Sequence, residues 1–171
     1  MIFLALGANL SHELYGGPRD VLEEALRQLQ GRGIGVLRRS RWYRSPPWPP
    51  SDQPWYLNGV AELETTAGPA ETLANLHDLE AAFGRRRSVR NEARVLDLDL
   101  IDWHGGLLQE SDGPTLPHPR MQDRAFVLLP LAELAPDWRH PVTQRSIGDL
   151  IAALPSPGSA EPIEDEALGV T

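Results

Sequence analysis

Two aspartates stand two residues apart in an otherwise apolar stretch, "RVLDLDLIDW", residues 94–103. In a β-strand, side chains at i and i+2 share a face. Leu96, Leu98 and Leu100 then make a buried face, and Asp97 and Asp99 stand together on the other, about 6–7 Å apart along the strand. Like charges that close repel, so water, a cation or arginine must offset them. An isolated D-x-D also serves as a plain polar strand face. As a metal site it suits Mg²⁺, a hard cation that takes one or two carboxylates together with phosphate oxygens and water. Asp102 has the opposite parity and is expected to face elsewhere, as a structural or solvent-exposed residue.

Three further clusters have chemistry to offer. Arg85, Arg86, Arg87, Arg90 and Arg94 crowd together with Glu92 among them. Such a run is a solvated loop in many proteins. The planar guanidinium also suits phosphate, and carboxylate–metal on one side with guanidinium on the other is what phosphoryl transfer needs. In "SPPWPPSDQPWYLN", residues 45–58, the prolines stiffen a loop whose exposed backbone could pair with the edge of a flat heterocycle. Tyr56 and Asn58 share a strand face, where a ring could stack and a carboxamide read its polar edge; an aromatic–proline core corner is the other reading. In "TLPHPRMQDRAF", residues 115–126, His118 is held between two prolines ahead of Arg124 and Phe126. It is either a structural histidine or an imidazole donor to phosphate.

Composition narrows these choices. The chain has 171 residues, 41% of them hydrophobic, enough for one folded domain with a real core. It has no cysteine, which excludes disulfides and thiol chemistry. All 16 basic residues are arginine, so no lysine can cradle phosphate or form a Schiff base. The net charge of −8 argues against general nucleic-acid binding. No run approaches the ~20 apolar residues of a membrane span, and a cytoplasmic protein with no membrane partner is expected.

The elements that must position these groups follow from periodicity. "MIFLALGANL" is a strand ending at Gly7. Residues 18–31 are a helix with Pro18 in its first turn and Leu22, Leu26 and Leu29 on one face. Residues 34–45 form a strand, the five prolines within 46–54 an irregular loop, and residues 55–66 a strand again. Residues 69–83 are a helix with Leu76, Leu79 and Phe83 in register. "HGG" is a hairpin turn from the aspartate strand into "LLQES". Residues 123–135 are helical, disturbed at Pro130, and 146–154 form a last helix. The domain is expected over 1–155. Residues 156–171 are expected to be an acidic, Pro/Ser-containing disordered tail, and deletion of residues 158–171 is expected to leave stability and activity nearly unchanged. Strand–helix–strand–strand–helix–strand is the ferredoxin-like order. The fold class is α+β, a ferredoxin-like sandwich of mostly antiparallel sheet covered by helices. "LGANLSHELYGG" lacks the G-x-G-x-x-G of a dinucleotide fold.

The motifs "LGANL", "YRSPPWPPSDQPWYLN", "LEAAFGRRR", "RVLDLDL" and "LPHPRMQDRAFVLLPL" stand in an order and spacing that resemble the 6-hydroxymethyl-7,8-dihydropterin pyrophosphokinase family of folate biosynthesis, from residue 1 to about 154. The resemblance implies that the pterin hydroxymethyl oxygen attacks the β-phosphorus of ATP, with AMP leaving. It implies that Asp97 and Asp99 hold two Mg²⁺ ions, and that Arg85, Arg87, Arg90 and Arg94 contact phosphate from a loop that closes over substrate. Asn9, Ser45, Pro46, Pro47, Tyr56, Asn58 and Phe126 correspond to the pterin pocket. Glu80, Arg85, Arg87, Arg94, Leu100, Thr115, His118 and Arg124 correspond to the ATP site. A monomer is expected, with ATP and the pterin as its partners. The chain departs from many relatives in "NEA" before Arg94, in a loop one residue shorter, in Trp48-Pro49 after the paired prolines, and in Pro119 after the histidine. Two other readings share the aspartates or the arginines: another Mg-dependent nucleotidyl or diphosphate transferase, and an anion-binding module.

Overall fold

A computed structural model of the chain describes residues 1–84, 95–111 and 113–164. β1 (Ile2–Ala8), α1 (Pro18–Gly31), β2 (Gly35–Arg39), β3 (Tyr43–Ser45), β4 (Tyr56–Glu64), α2 (Pro69–Ala82) and β5 (Asp97–Trp103) follow in order. They are followed by β6 (Leu108–Gln109), β7 (Thr115–Leu116), α3 (Ala125–Leu134), α4 (Ile147–Ala152) and β8 (Glu161–Pro162). The main sheet runs β5–β1–β4–β3–β8, with β2 also on β4, and its pairs are antiparallel. This is the α+β ferredoxin-like arrangement expected, with helices on both faces. Among the described residues no helix is long and apolar enough to cross a membrane.

Each face has its own core. On one, Leu22, Ala25 and Leu29 of α1 and Leu76 and Leu79 of α2 pack on Leu4 and Leu6 of β1 and on Leu96, Leu98 and Leu100. On the other, Val127, Leu128 and Leu131 of α3 and Ile147 and Leu150 of α4 pack on Phe3, Tyr43, Val60 and Ile101. Pro130 lies inside α3 without breaking it. Its ring has no N–H, so the ladder bond to the Phe126 carbonyl is absent. α3 is tied to β3 by Glu133, which accepts from the Tyr43 hydroxyl and from the Arg41 backbone N–H (2.9 Å) and Nε (2.8 Å). Burial and that carboxylate push the Tyr43 phenol up to about 12.

Four expectations are corrected. The strand over residues 34–45 is two strands, β2 and β3, on the same partner β4. Between them Ser40 bonds Val60 twice, its N–H donating to the Val60 carbonyl (2.9 Å) and its Oγ accepting from the Val60 N–H (3.0 Å). The turn at "HGG" exists, with left-handed φ at His104 and Gly105. Yet β6, which follows it, pairs with β7 rather than β5; the β5 carbonyl at Ile101 instead accepts from the His118 N–H at 3.0 Å. Asp102 does not face away from the other aspartates. A register shift lies beside Leu4, which pairs with Leu100, while Phe3 pairs with Asp102. The inserted Ile101 brings Asp102 to the face of Phe3. There it is buried, accepting from the Trp138 indole (2.8 Å) and the Gly105 N–H (2.9 Å).

The fourth correction concerns the tail. β8 pairs with β3, the Ile163 N–H donates to the Trp42 carbonyl at 2.8 Å, Ala160 is buried in the α3-side core, and Ile163 packs against the other core. Residues 160–163 therefore pack at the sheet edge, and a deletion from residue 158 onward should lower the melting temperature. Residues 165–171 lie outside the described residues.

Candidate functional site

β1 tapers toward its C-terminal end on the α3 side, from Phe3 through Ala5 to Gly7. The register turns that taper into a gap in the apolar face that polar groups occupy. Val60, Ala5 and Asp99 form one row across β4, β1 and β5; Asn58, Gly7 and Asp97 form the next, with Tyr43 beyond Asn58. A Cβ on Gly7 would lie 2.9 Å from Asn58 Oδ1. Glycine thus makes room for the buried Asn58 carboxamide to lean over β1 in the row that ends at Asp97. Where Phe3 fills the same face, α3 packs; at Gly7 polar groups take over, with Asn58 buried and Asp97 and Asp99 half-buried.

The walls of the gap are held from below and behind. Leu96, Leu98 and Leu100 are buried under β5. Glu80 of α2, 1% exposed, accepts from the Leu98 N–H at 2.8 Å and so fixes the residue between the two aspartates. Asp97 and Asp99 are half-buried. Across the gap, Asn58 Nδ2 donates to Ser45 Oγ at 2.8 Å. Asn9 Nδ2 donates to Gln53 Oε1 (3.3 Å) and to the Pro54 carbonyl (3.2 Å), tying the end of β1 to the proline loop. Tyr56, two residues before Asn58, is half-buried on the same face. Pro47 is buried and Pro46 exposed.

The third wall is the segment from β7 into α3. His118 is pinned beside β5 by its backbone bond to Ile101. Its Nδ1 accepts from the Arg120 N–H at 3.2 Å, so the ring proton sits on Nε2. Burial, then Arg124 and Arg120, lower its pKa to about 4, while Asp97 opposes them. His118 is therefore a neutral donor near neutral pH, close enough to Asp97 and to two guanidiniums to feel both. Arg124 N-caps α3, and its guanidinium lies 5.6 Å from the centroid of the half-buried Phe126 ring. A groove of about 570 Å³ runs from Leu108 past Thr115, His118 and Gln122 to His140 and Thr143.

The described part of the site thus gathers Asn9, Ser45, Tyr56, Asn58, Asp97, Asp99, His118, Arg124 and Phe126 around one end of the sheet. Leu100 points into the opposite core, so any contact it makes with a ligand comes from its backbone. Thr115 is exposed on β7 and lines the groove. Glu80 reaches β5 from beneath. Arg85, Arg86, Arg87, Arg90 and Arg94 lie outside the described residues, as does the expected loop closure. Sequence reasoning missed Gly7, whose signal is a glycine inside a strand, and missed Gln53 and Arg120, which act on Asn9 and His118 and carry no signature of their own.

The donor set fits a divalent cation. Among the described residues no three His, Cys, Asp or Glu side chains gather into a cage. Two half-buried carboxylates on one strand face are what Mg²⁺ needs when phosphate and water complete its shell.

Residues 3–136 match the sequence model of the 7,8-dihydro-6-hydroxymethylpterin pyrophosphokinase family. The chain is 43% identical over 149 residues to the 2-amino-4-hydroxy-6-hydroxymethyldihydropteridine pyrophosphokinase of Synechocystis sp., covering 86% of this chain and 73% of that protein. It is 42% identical over 163 residues to the protein of the same name from Pseudomonas aeruginosa, covering 92% and 93%. A crystal structure of Plasmodium falciparum HPPK-DHPS shares the fold with a TM-score of 0.67 at 12% identity, over 88% of this chain and 44% of that one. This chain spans less than half of that longer protein. The chain belongs to the 7,8-dihydro-6-hydroxymethylpterin pyrophosphokinase family, whose members transfer diphosphate from ATP to the hydroxymethyl group of the pterin in folate biosynthesis.

Proposed function

We propose that this chain carries out the family reaction at the gap between Asn58 and Asp97. The pterin hydroxymethyl oxygen forms a bond to the β-phosphorus of ATP and gives up its proton; the bond from the β-phosphorus to the bridging oxygen breaks, and AMP leaves with that oxygen. The observation that supports this most is the row Asn58–Gly7–Asp97. It sets a group suited to a heterocycle's polar edge in line with a group suited to a cation on phosphate.

Each residue has a role in this reading. Asn9, Ser45 and Asn58 read the pterin's donors and acceptors, while Tyr56 and Phe126 stack on its faces. Pro46 and Pro47 shape the rim. Asp97 and Asp99 hold Mg²⁺, with two ions expected. When bound, Mg²⁺ neutralises charge on the triphosphate and favours ionisation of the attacking hydroxyl. His118, neutral with its proton on Nε2, donates to a phosphate oxygen. Arg124 supplies fixed positive charge beside it, and Arg85, Arg87, Arg90 and Arg94 complete the phosphate contacts. Leu100 and Thr115 contact the nucleotide. Glu80, buried beneath β5, acts by holding the Leu98 amide between the two aspartates rather than by touching ATP.

The test is to incubate the chain with ATP, Mg²⁺ and 6-hydroxymethyl-7,8-dihydropterin and measure both products. The reading requires AMP and pterin diphosphate in equal amounts, and no AMP without the pterin. ADP as product, or AMP released without the pterin, would refute it.

A further inference from the structure

The C-terminal strand lies beside the pterin wall, beyond the stretch the family model covers. That match ends at residue 136, whereas the chain continues through α4 and returns at β8 to the edge of β3. β3 carries Ser45, the partner of Asn58. Its middle residue, Arg44, pairs with Glu161 of β8. The Arg44 guanidinium donates twice to Glu161 Oε2, from Nη2 at 3.0 Å and from Nε at 3.2 Å. It also lies 5.4 Å from the centroid of the Trp55 ring. Trp55 ends the proline loop, and the two residues before it hold Asn9. Contacts therefore run unbroken from Glu161 through Arg44 and Trp55 to the wall of the pocket.

We propose that Arg44 and Glu161 are positioning residues, a latch by which the C-terminal strand holds the proline loop in place and tightens the pterin pocket. This inference rests on the function proposed above. The anchoring of β8 itself is separate. It comes from backbone pairing, from buried Ala160 and from Ile163 on the opposite core. The latch is exposed, with Arg44 and Glu161 each 57% accessible. Exposed ion pairs and cation–π contacts are individually weak. Losing the latch should therefore change pterin affinity a few-fold without unfolding the chain. The nucleotide wall, on β5 and the segment before α3, lies across the sheet from β3 and should not respond.

The test uses the full chain and compares wild type with Arg44→Met, Arg44→Lys, Glu161→Gln and the Arg44→Met/Glu161→Gln double variant. Arg44→Met should raise KM for the pterin about three- to tenfold, with kcat and KM for ATP within about twofold of wild type. Glu161→Gln should raise it about two- to threefold, and Arg44→Lys should recover most of the loss. The double variant should be no worse than Arg44→Met, because both changes break one linkage. Unchanged pterin KM in Arg44→Met, or equal rises for both substrates, would overturn the latch while leaving the proposed function standing. If Arg44→Met lowers the melting temperature by many degrees, Glu161→Gln decides in the same way. A wild-type chain that makes no pterin diphosphate would overturn the proposed function, and the latch with it.

Discussion

β1 sends Ile2, Leu4, Leu6 and Ala8 into the core beneath α1 and α2, and Phe3, Ala5 and Gly7 toward α3. β5 does the same with Leu96, Leu98 and Leu100 on one side and Asp97 and Asp99 on the other. On the first face every position is apolar and large enough to meet a helix, and the face is closed. On the second, side-chain size falls along β1 while charge appears on β5, so α3 packs around Phe3 and polar groups take the end at Gly7. One pair of strands thus serves two ends. The closed face fixes the backbone through burial, and the open face uses that fixed backbone to present groups that would not stabilise a fold by themselves. Glu80 links the two: it is buried on the closed side, yet it bonds the amide lying between the two aspartates of the open side.

Substitutions on the two faces should separate stability from chemistry. The largest stability loss belongs to the closed face. Leu98→Ala deletes buried methylenes under β5 and should cost about 2–5 kcal/mol. Denaturant melts would register it, and the fraction still folded should remain active. On the open face, Tyr56→Ala or Phe126→Ala should weaken pterin binding by about 1–3 kcal/mol and ATP binding much less. Calorimetric titration with each ligand would check this, and equal losses would make the rings ordinary packing residues.

Smaller effects sharpen the same contrast. Gly7→Ala puts a methyl beside Asn58 Oδ1 and into the gap. Because the buried Asn58 carboxamide must then shift, it should raise KM for the pterin about tenfold, or about 1.4 kcal/mol. A silent Gly7→Ala would mean that the gap is not the pocket. The smallest effect is on pH dependence. His118 is held at about 4 in the folded chain by burial and by Arg124 and Arg120, well below its unfolded value. As pH falls from about 6.5 toward 4, the unfolded state takes up a proton that the folded state refuses, so stability drops across that window. His118→Asn should make the acid limb of a melting-temperature profile shallower by about one proton. An unchanged slope would show that the ring is not held neutral.

The contrast between the faces was partly legible in the sequence. The D-x-D parity could be read because leucines flank both aspartates and a strand has period two. The bulge at Ile101 could not, since one inserted residue leaves no local mark, and it moved Asp102 to the face of Phe3. The break between β2 and β3 was hidden for a similar reason: Ser40 replaces ladder bonds with its own hydroxyl. The tail looked disordered because docking rests on backbone pairing and, among its described residues, on Ala160 and Ile163, too few apolar residues to set up a period. Residue types suggested the members of the site. What the sequence could not show is that Asn58, Gly7 and Asp97 share one row, because that depends on the register of three strands far apart in the chain.

The central claim is that the open face carries chemistry that the fold does not need. The most direct measurement is made on the Asp97→Asn/Asp99→Asn variant, recording product formation at saturating ATP and Mg²⁺ together with the melting curve of the same sample. The account predicts that kcat falls by at least about 10³-fold, while the melting temperature holds or rises because two neighbouring carboxylates no longer repel. Turnover within tenfold of wild type, or a variant inactive because it has unfolded, would contradict it.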